Sequence, residues 1–232
     1  FEWLRKAPWG NPAFSGTVFS IGIFGFLGGI SGVVMGTEQL NLIMHNTLYV
    51  PGHFHATVVG GTTLAFMAIT YLLVPLIFRK EIMLKKVAQW QPYVFGIGIA
   101  GISLFMMGAG TLGVSRRHWD IGFSDAAMSF DYPAMAFAMM TMNGIAGVLA
   151  TVGGLMFVIV IVLSVFFGKP RTPEAIAATP TLGAGGEVVA QAGSETHPKL
   201  PGTIILVAVF LVAFVLYYYV NWKYLSEIWP LS

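Results

Sequence analysis

The stretch that decides the reading is His45-Asn46-Thr47-Leu48-Tyr49-Val50-Pro51-Gly52-His53-Phe54-His55, which gathers three of the chain's five histidines at the mouth of a long apolar run. Pro51 suits the first turn of a helix, where its missing N–H costs nothing, so His53 and His55 fall in that turn or just after it. At ~3.6 residues per turn, side chains two residues apart sit ~200° apart around the axis. The two rings therefore leave nearly opposite faces, and one helix can ligate two different groups. Zinc sites on helices use histidines at i and i+4 instead, which share a face.

Working outward, 56% of the 232 residues are apolar and only 9% are charged, and the mean hydropathy is +0.77. That balance is far from a soluble domain and reads as an integral membrane protein. With no cysteine, thiolate metal sites, disulfides and thiol nucleophiles are excluded, so any metal must be held by histidine, carboxylate or backbone. The net charge of +2 and the scattered basic pairs give no nucleic-acid footprint.

Hydropathy predicts an all-α polytopic membrane helical bundle of about five transmembrane helices, with runs at 14–36, 51–78, 87–114, 133–167 and 203–219. Residues 1–168 read as the four-helix, histidine-bearing part. Seven glycines between Gly16 and Gly36 read as a close-packing surface. Residues 169–202, rich in proline, glycine, alanine and threonine, read as an exposed linker. Residues 203–232 read as a last helix with an aromatic collar of Tyr217, Tyr218, Tyr219, Trp222 and Tyr224, and Trp3, Trp9, Arg5 and Lys6 as an interfacial approach. The opening Phe1-Glu2-Trp3, with no initiator methionine or signal pattern, suggests a piece of something longer.

Alternating the loops places nine Lys and Arg residues on the N-terminal side, against Arg116, Arg117 and Lys223 on the other. The positive-inside bias makes the first side cytoplasmic, and puts the histidine cluster and Arg116/Arg117 together at the outer face. An arginine pair there runs against the bias and so has a specific partner: a haem propionate or, as the plain alternative, lipid phosphate. A single histidine near an interface is usually a satisfied polar anchor, but three in this stretch favour ligation. The opposed pair fits two separate haem irons better than one ion. Phe54 between them lies beside both macrocycles or serves as ordinary packing.

The run His45-Asn46-Thr47 through Pro51-Gly52-His53-Phe54-His55, followed by Arg116-Arg117 at the outer end of the next helix, resembles the catalytic subunit I of the haem–copper oxygen reductases, over most of residues 14–168. The resemblance implies that His53 is the proximal ligand of the high-spin haem, and His55 an axial ligand of the low-spin haem that feeds it electrons. It implies that Phe54 is the bridging aromatic, that His45 lies near the high-spin haem propionates, and that Arg116 and Arg117 bind the propionates. Asn46 stands where the mitochondrial-like branch has a magnesium-binding aspartate, which puts a magnesium site in doubt. With Val50-Pro51-Gly52 it looks more like the B-type branch.

The resemblance further implies two haems and a copper ion, reduction of oxygen to water, proton translocation, and cytochrome c or quinol as electron donor. The family's copper histidines, their linked tyrosine and a second low-spin haem histidine have no counterpart here, since only His118 and His197 are left over. The remaining helices of subunit I are thus expected on a separate chain or a missing segment, with other oxidase subunits alongside, in a bacterial or archaeal plasma membrane rather than the inner mitochondrial membrane. Thr62, Thr63, Ser103 and Glu38 read as ordinary packing or loop groups. Rival readings are a nitric oxide reductase of the same superfamily, with non-haem iron in place of copper, and a non-catalytic membrane subunit or transporter whose histidines face a polar cavity.

Overall fold

A computed structural model of the chain describes residues 2–116 and 132–172, the dipeptides 181–182 and 188–189, and positions 208–209, 211–213, 215–216, 219 and 223. They fall into two units, Phe1–Ile176 and Ala177–Ser232. In the first, a short α1 (Glu2–Lys6) precedes four helices long and apolar enough to cross a membrane: α2 (Pro12–Gly36), α4 (Tyr49–Ile77), α5 (Lys85–Thr111) and α6 (Ala134–Phe167). A seven-residue helix, α3 (Glu38–Met44), joins α2 to the histidine loop. In the second unit, Thr181–Leu182 pairs antiparallel with Val188–Val189, and the described positions from 208 onward are helical. Most of the expected fifth span and of its aromatic collar lies outside the described residues.

Local chemistry sets the helix ends. Asn11 caps α2, its Oδ1 accepting the Ala13 N–H at 2.9 Å, and Pro12 follows at the first helical position. α5 ends where Gly113 adopts φ +86° and the Val114 N–H closes on the Ala109 carbonyl at 3.1 Å, a Schellman-type reversal. The basic residues Arg79, Lys80, Lys169 and Arg171 meet at the opposite end of the bundle. There Arg171 N–H donates to Arg79 O (2.8 Å), Glu81 N–H donates to Lys169 O (2.9 Å), and Lys80 Nζ donates to the Val165 and Phe166 carbonyls (2.7 and 3.2 Å).

α5 is the central helix, packed on α2, α4 and α6. Small residues let the backbones close: a Cβ on Gly52 of α4 would sit 2.7 Å from Met107 Cγ and 2.9 Å from its backbone nitrogen on α5. The buried core joins Ile23, Ala56, Leu64, Phe95, Ile99 and Ala150 from all four long helices. Large apolar side chains such as Phe26, Val33, Phe66, Ile145 and Phe166 face outward. In a membrane this is the surface offered to lipid or to neighbouring helices.

Two helices are not regular. α2 carries a π-helical segment at Ile23–Gly28 and α4 one at His55–Thr63, and the two segments pack against each other. Such widened turns loosen the usual carbonyl pairing. The Gly61 carbonyl in the α4 segment is met by a hydroxyl from α2, Ser20 Oγ–H donating at 2.7 Å.

Candidate functional site

The histidine loop is tied to the end of α5 by backbone pairing. Asn46 adopts φ +63°, a left-handed conformation that asparagine tolerates. It turns the chain so that Arg116 N–H donates to the Asn46 carbonyl (2.9 Å), Leu48 N–H donates to Val114 O (2.8 Å), and Thr47 lies opposite Ser115 in an antiparallel bridge. The structure therefore brings His45, Asn46 and Arg116 to one end of the bundle. His45 and Asn46 are exposed. The Arg116 Nε is buried and has no hydrogen-bond partner among the described residues. A buried guanidinium N–H without a partner is costly, so this atom is poised for an acceptor that the described residues do not provide. Arg117 lies outside the described residues.

α4 begins at Tyr49 and carries His53, Phe54 and His55 within its first two turns. Phe54 and His55 have helical dihedrals (φ −65°, ψ −33° and φ −64°, ψ −37°), so the backbone holds the two histidines ~200° apart. Each ring has a defined partner at Nδ1. His55 Nδ1–H donates to the Pro51 carbonyl one turn back, at 2.7 Å. A carbonyl only accepts, so Nδ1 carries the proton and Nε2 keeps its lone pair.

His53 Nδ1 lies 2.8 Å from Ser31 Oγ on α2. The Ser31 hydroxyl proton is already directed at the Leu27 carbonyl, with Gly28 O 3.1 Å away. A hydroxyl has one proton, so Ser31 accepts from His53 Nδ1–H. The Nε2 of His53, like that of His55, has no hydrogen-bond partner among the described residues. Phe54 stands between them with 53% of its surface exposed, its ring centroid 5.6 Å from that of His53.

Two imidazoles with Nδ1 protonated and Nε2 bare are prepared to donate to metal through Nε2. No three His, Asp or Glu side chains converge among the described residues; His53 and His55 present two separate single nitrogen donors. Ser31 had no distinguishing signal in the sequence: a serine among glycines in an apolar run reads as packing, and only the hydroxyl's tertiary partner separates it from Ser15 or Ser20.

Comparison with known proteins identifies the family. Residues 1–156 match the family model for cytochrome c and quinol oxidase polypeptide I. Cytochrome c oxidase subunit 1 of Thermus thermophilus is 34% identical over 177 residues, which is 75% of this chain and 30% of that protein. A second Thermus thermophilus cytochrome c oxidase subunit 1 sequence is 37% identical over 117 residues, 50% of this chain and 98% of its own length. Cytochrome c oxidase polypeptide 1 of Halobacterium salinarum is 32% identical over 92 residues, 40% of this chain and 15% of that protein. Among solved structures, a chain of a haem–copper terminal oxidase dimer matches with a TM-score of 0.61 at 30% identity, covering 71% of this chain and 28% of that one. The chain thus spans under a third of the first of these relatives. By its match over residues 1–156, the chain belongs to the cytochrome c and quinol oxidase polypeptide I family.

Proposed function

We propose that this chain supplies axial histidines to two haems in a respiratory terminal oxidase that reduces oxygen to water, His53 to a high-spin and His55 to a low-spin haem. The single observation that carries the reading is the pair of opposed imidazoles on α4, each with its Nδ1–H engaged by an oxygen and its Nε2 bare. The residues present fit the cofactor: an axial ligand needs one neutral imidazole nitrogen per iron. The orphaned Arg116 Nε at the same end of the bundle fits an anionic propionate.

When bound, the haems supply the electron transfer and oxygen chemistry. The chain's own residues hold and orient. His53 and His55 fix which side of α4 each group occupies, and Phe54 fills the space between them. Arg116, with Arg117 beside it in sequence, offers positive charge at the outer face, and exposed His45 precedes Asn46, whose carbonyl takes the Arg116 N–H. Asn46 has a neutral amide where a charged ligand would be needed, so magnesium is not part of the proposal. Copper ligation falls to the remaining helices of subunit I, in the same polypeptide or another, with other oxidase subunits and cytochrome c or quinol as donor, in a bacterial or archaeal plasma membrane.

The test is the reduced-minus-oxidised spectrum of the purified complex. His55→Ala is expected to abolish the low-spin haem band and keep the high-spin signal, and His53→Ala to do the reverse. Retention of both signals in both variants would overturn the assignment.

A further inference from the structure

We propose that Ser31 is the positioning residue for His53: its Oγ accepts the Nδ1 proton, which fixes the tautomer and turns Nε2 outward as the ligand atom. This rests on the reading of His53 as a haem ligand and names the group that orients it.

The geometry comes from three features of α2. Leu27 and Gly28 belong to its π-helical segment, and their carbonyls take up the Ser31 hydroxyl proton. The oxygen is then left with only acceptor capacity on the side of α4. Ser31 is 3% exposed, so water does not compete for that lone pair. The next residue, Gly32, has no side chain, and a Cβ there would lie 3.2 Å from His53 Cε1. The imidazole edge therefore comes close to α2 at this point, and a side chain at position 32 would press on it.

The result is a relay from Nδ1–H through Ser31 Oγ–H to the Leu27 carbonyl. Hydrogen bonds in series polarise one another. A ligating imidazole whose other nitrogen donates to such an acceptor becomes a better donor to its metal. Among the described residues His55 has no counterpart on another helix, because its acceptor is the Pro51 carbonyl of its own first turn.

The experiment is resonance Raman spectroscopy of the reduced complex, following the iron–histidine stretch of the high-spin haem, together with a redox titration. Ser31→Ala is expected to move that stretch to lower frequency and raise the haem's midpoint potential, while the low-spin haem spectrum stays unchanged. Ser31→Thr, which keeps an acceptor oxygen, is expected to restore the wild-type frequency. An unshifted stretch in Ser31→Ala overturns the proposal. If Ser31→Ala does not assemble, Ser31→Cys decides: its weakly accepting sulfur is expected to lower the frequency, and a wild-type frequency there overturns it. A stretch that survives in His53→Ala would instead refute the ligand reading of His53, so the two failures are distinct.

Discussion

His53 and His55 are neighbours in sequence and are held in different ways. The His55 ring is oriented by the Pro51 carbonyl, a backbone atom four residues earlier on the same helix, and needs nothing beyond α4 to be well formed. The His53 ring is oriented by Ser31, 22 residues earlier and on another helix. It becomes well formed only when α2 and α4 are seated against each other. One site is therefore local, and the other is a consequence of packing. Perturbing the α2–α4 seam should separate them, and perturbing α4 alone should not.

The sharpest break is Gly28→Val. A Cβ at Gly28 would stand 2.7 Å from Thr57 Cγ2 on α4, and overpacking of this kind costs about 1–3 kcal/mol. The seam should open at the level of Ser31. The expected outcome is loss or strong weakening of the high-spin haem signal with the low-spin signal largely intact, read from reduced-minus-oxidised spectra. Equal loss of both signals would show that His55 also depends on the seam, and the contrast would fail.

The same contrast explains what was legible in the sequence. Runs expected at 14–36, 51–78, 87–114 and 133–167 correspond to Pro12–Gly36, Tyr49–Ile77, Lys85–Thr111 and Ala134–Phe167, because hydropathy over twenty or more residues is a bulk property that single contacts do not override. The meeting of the histidine loop with Arg116 followed from helices alternating across the membrane. The opposed placement of His53 and His55 followed from helix geometry.

What the sequence did not reveal depends on contacts between distant residues. The two π-helical segments arise where α2 and α4 pack on each other, and no residue pattern announced them. Ser31 resembles any small packing residue until its partner is known. The pairing of 46–48 with 114–116 depends on Asn46 taking a left-handed turn, which an asparagine permits without requiring.

A smaller effect is expected at the end of the bundle where Arg116 meets the histidine loop. Its unpartnered Nε is read as a propionate partner, and a cation beside a haem favours the reduced, more negative state. Arg116→Ala should therefore lower a haem midpoint potential, by an amount on the order of tens of millivolts for a partly buried charge, while both haem bands remain. The backbone bond from Arg116 N–H to Asn46 O survives this substitution, so the loop should keep its place. Unchanged potentials in a redox titration would remove the propionate role.

Smaller again is Ser20→Ala, which deletes the other hydroxyl that crosses from α2 to α4. Ser20 is buried and donates to the Gly61 carbonyl at 2.7 Å. Interhelical hydrogen bonds in membranes contribute roughly 0.6 kcal/mol on average and rarely above about 1.7. A modest fall in thermal stability of the complex is expected, with the His53 stretch near its wild-type frequency, because Ser20 lies about three turns from Ser31 on α2. A large shift in that stretch would mean that the seam moves as one rigid unit rather than being pinned separately at each serine.

The smallest effect sharpens the other side of the comparison. Pro51→Ala changes the residue whose carbonyl holds His55 but leaves the carbonyl itself in place. Pro51 sits in the first turn of α4, where the N–H restored by alanine has no intrahelical acceptor to displace. The loss is confined to the ring's restriction of the unfolded chain, roughly 0.4–1 kcal/mol of stability. The orientation of His55 is set by the i−4 carbonyl and the helical dihedrals on either side, neither of which depends on the pyrrolidine ring. The low-spin haem band of Pro51→Ala should therefore match the wild type in position and intensity. A displaced or diminished band would show that the first turn of α4 is held in register by proline, and that His55, too, owes its geometry to more than its own helix.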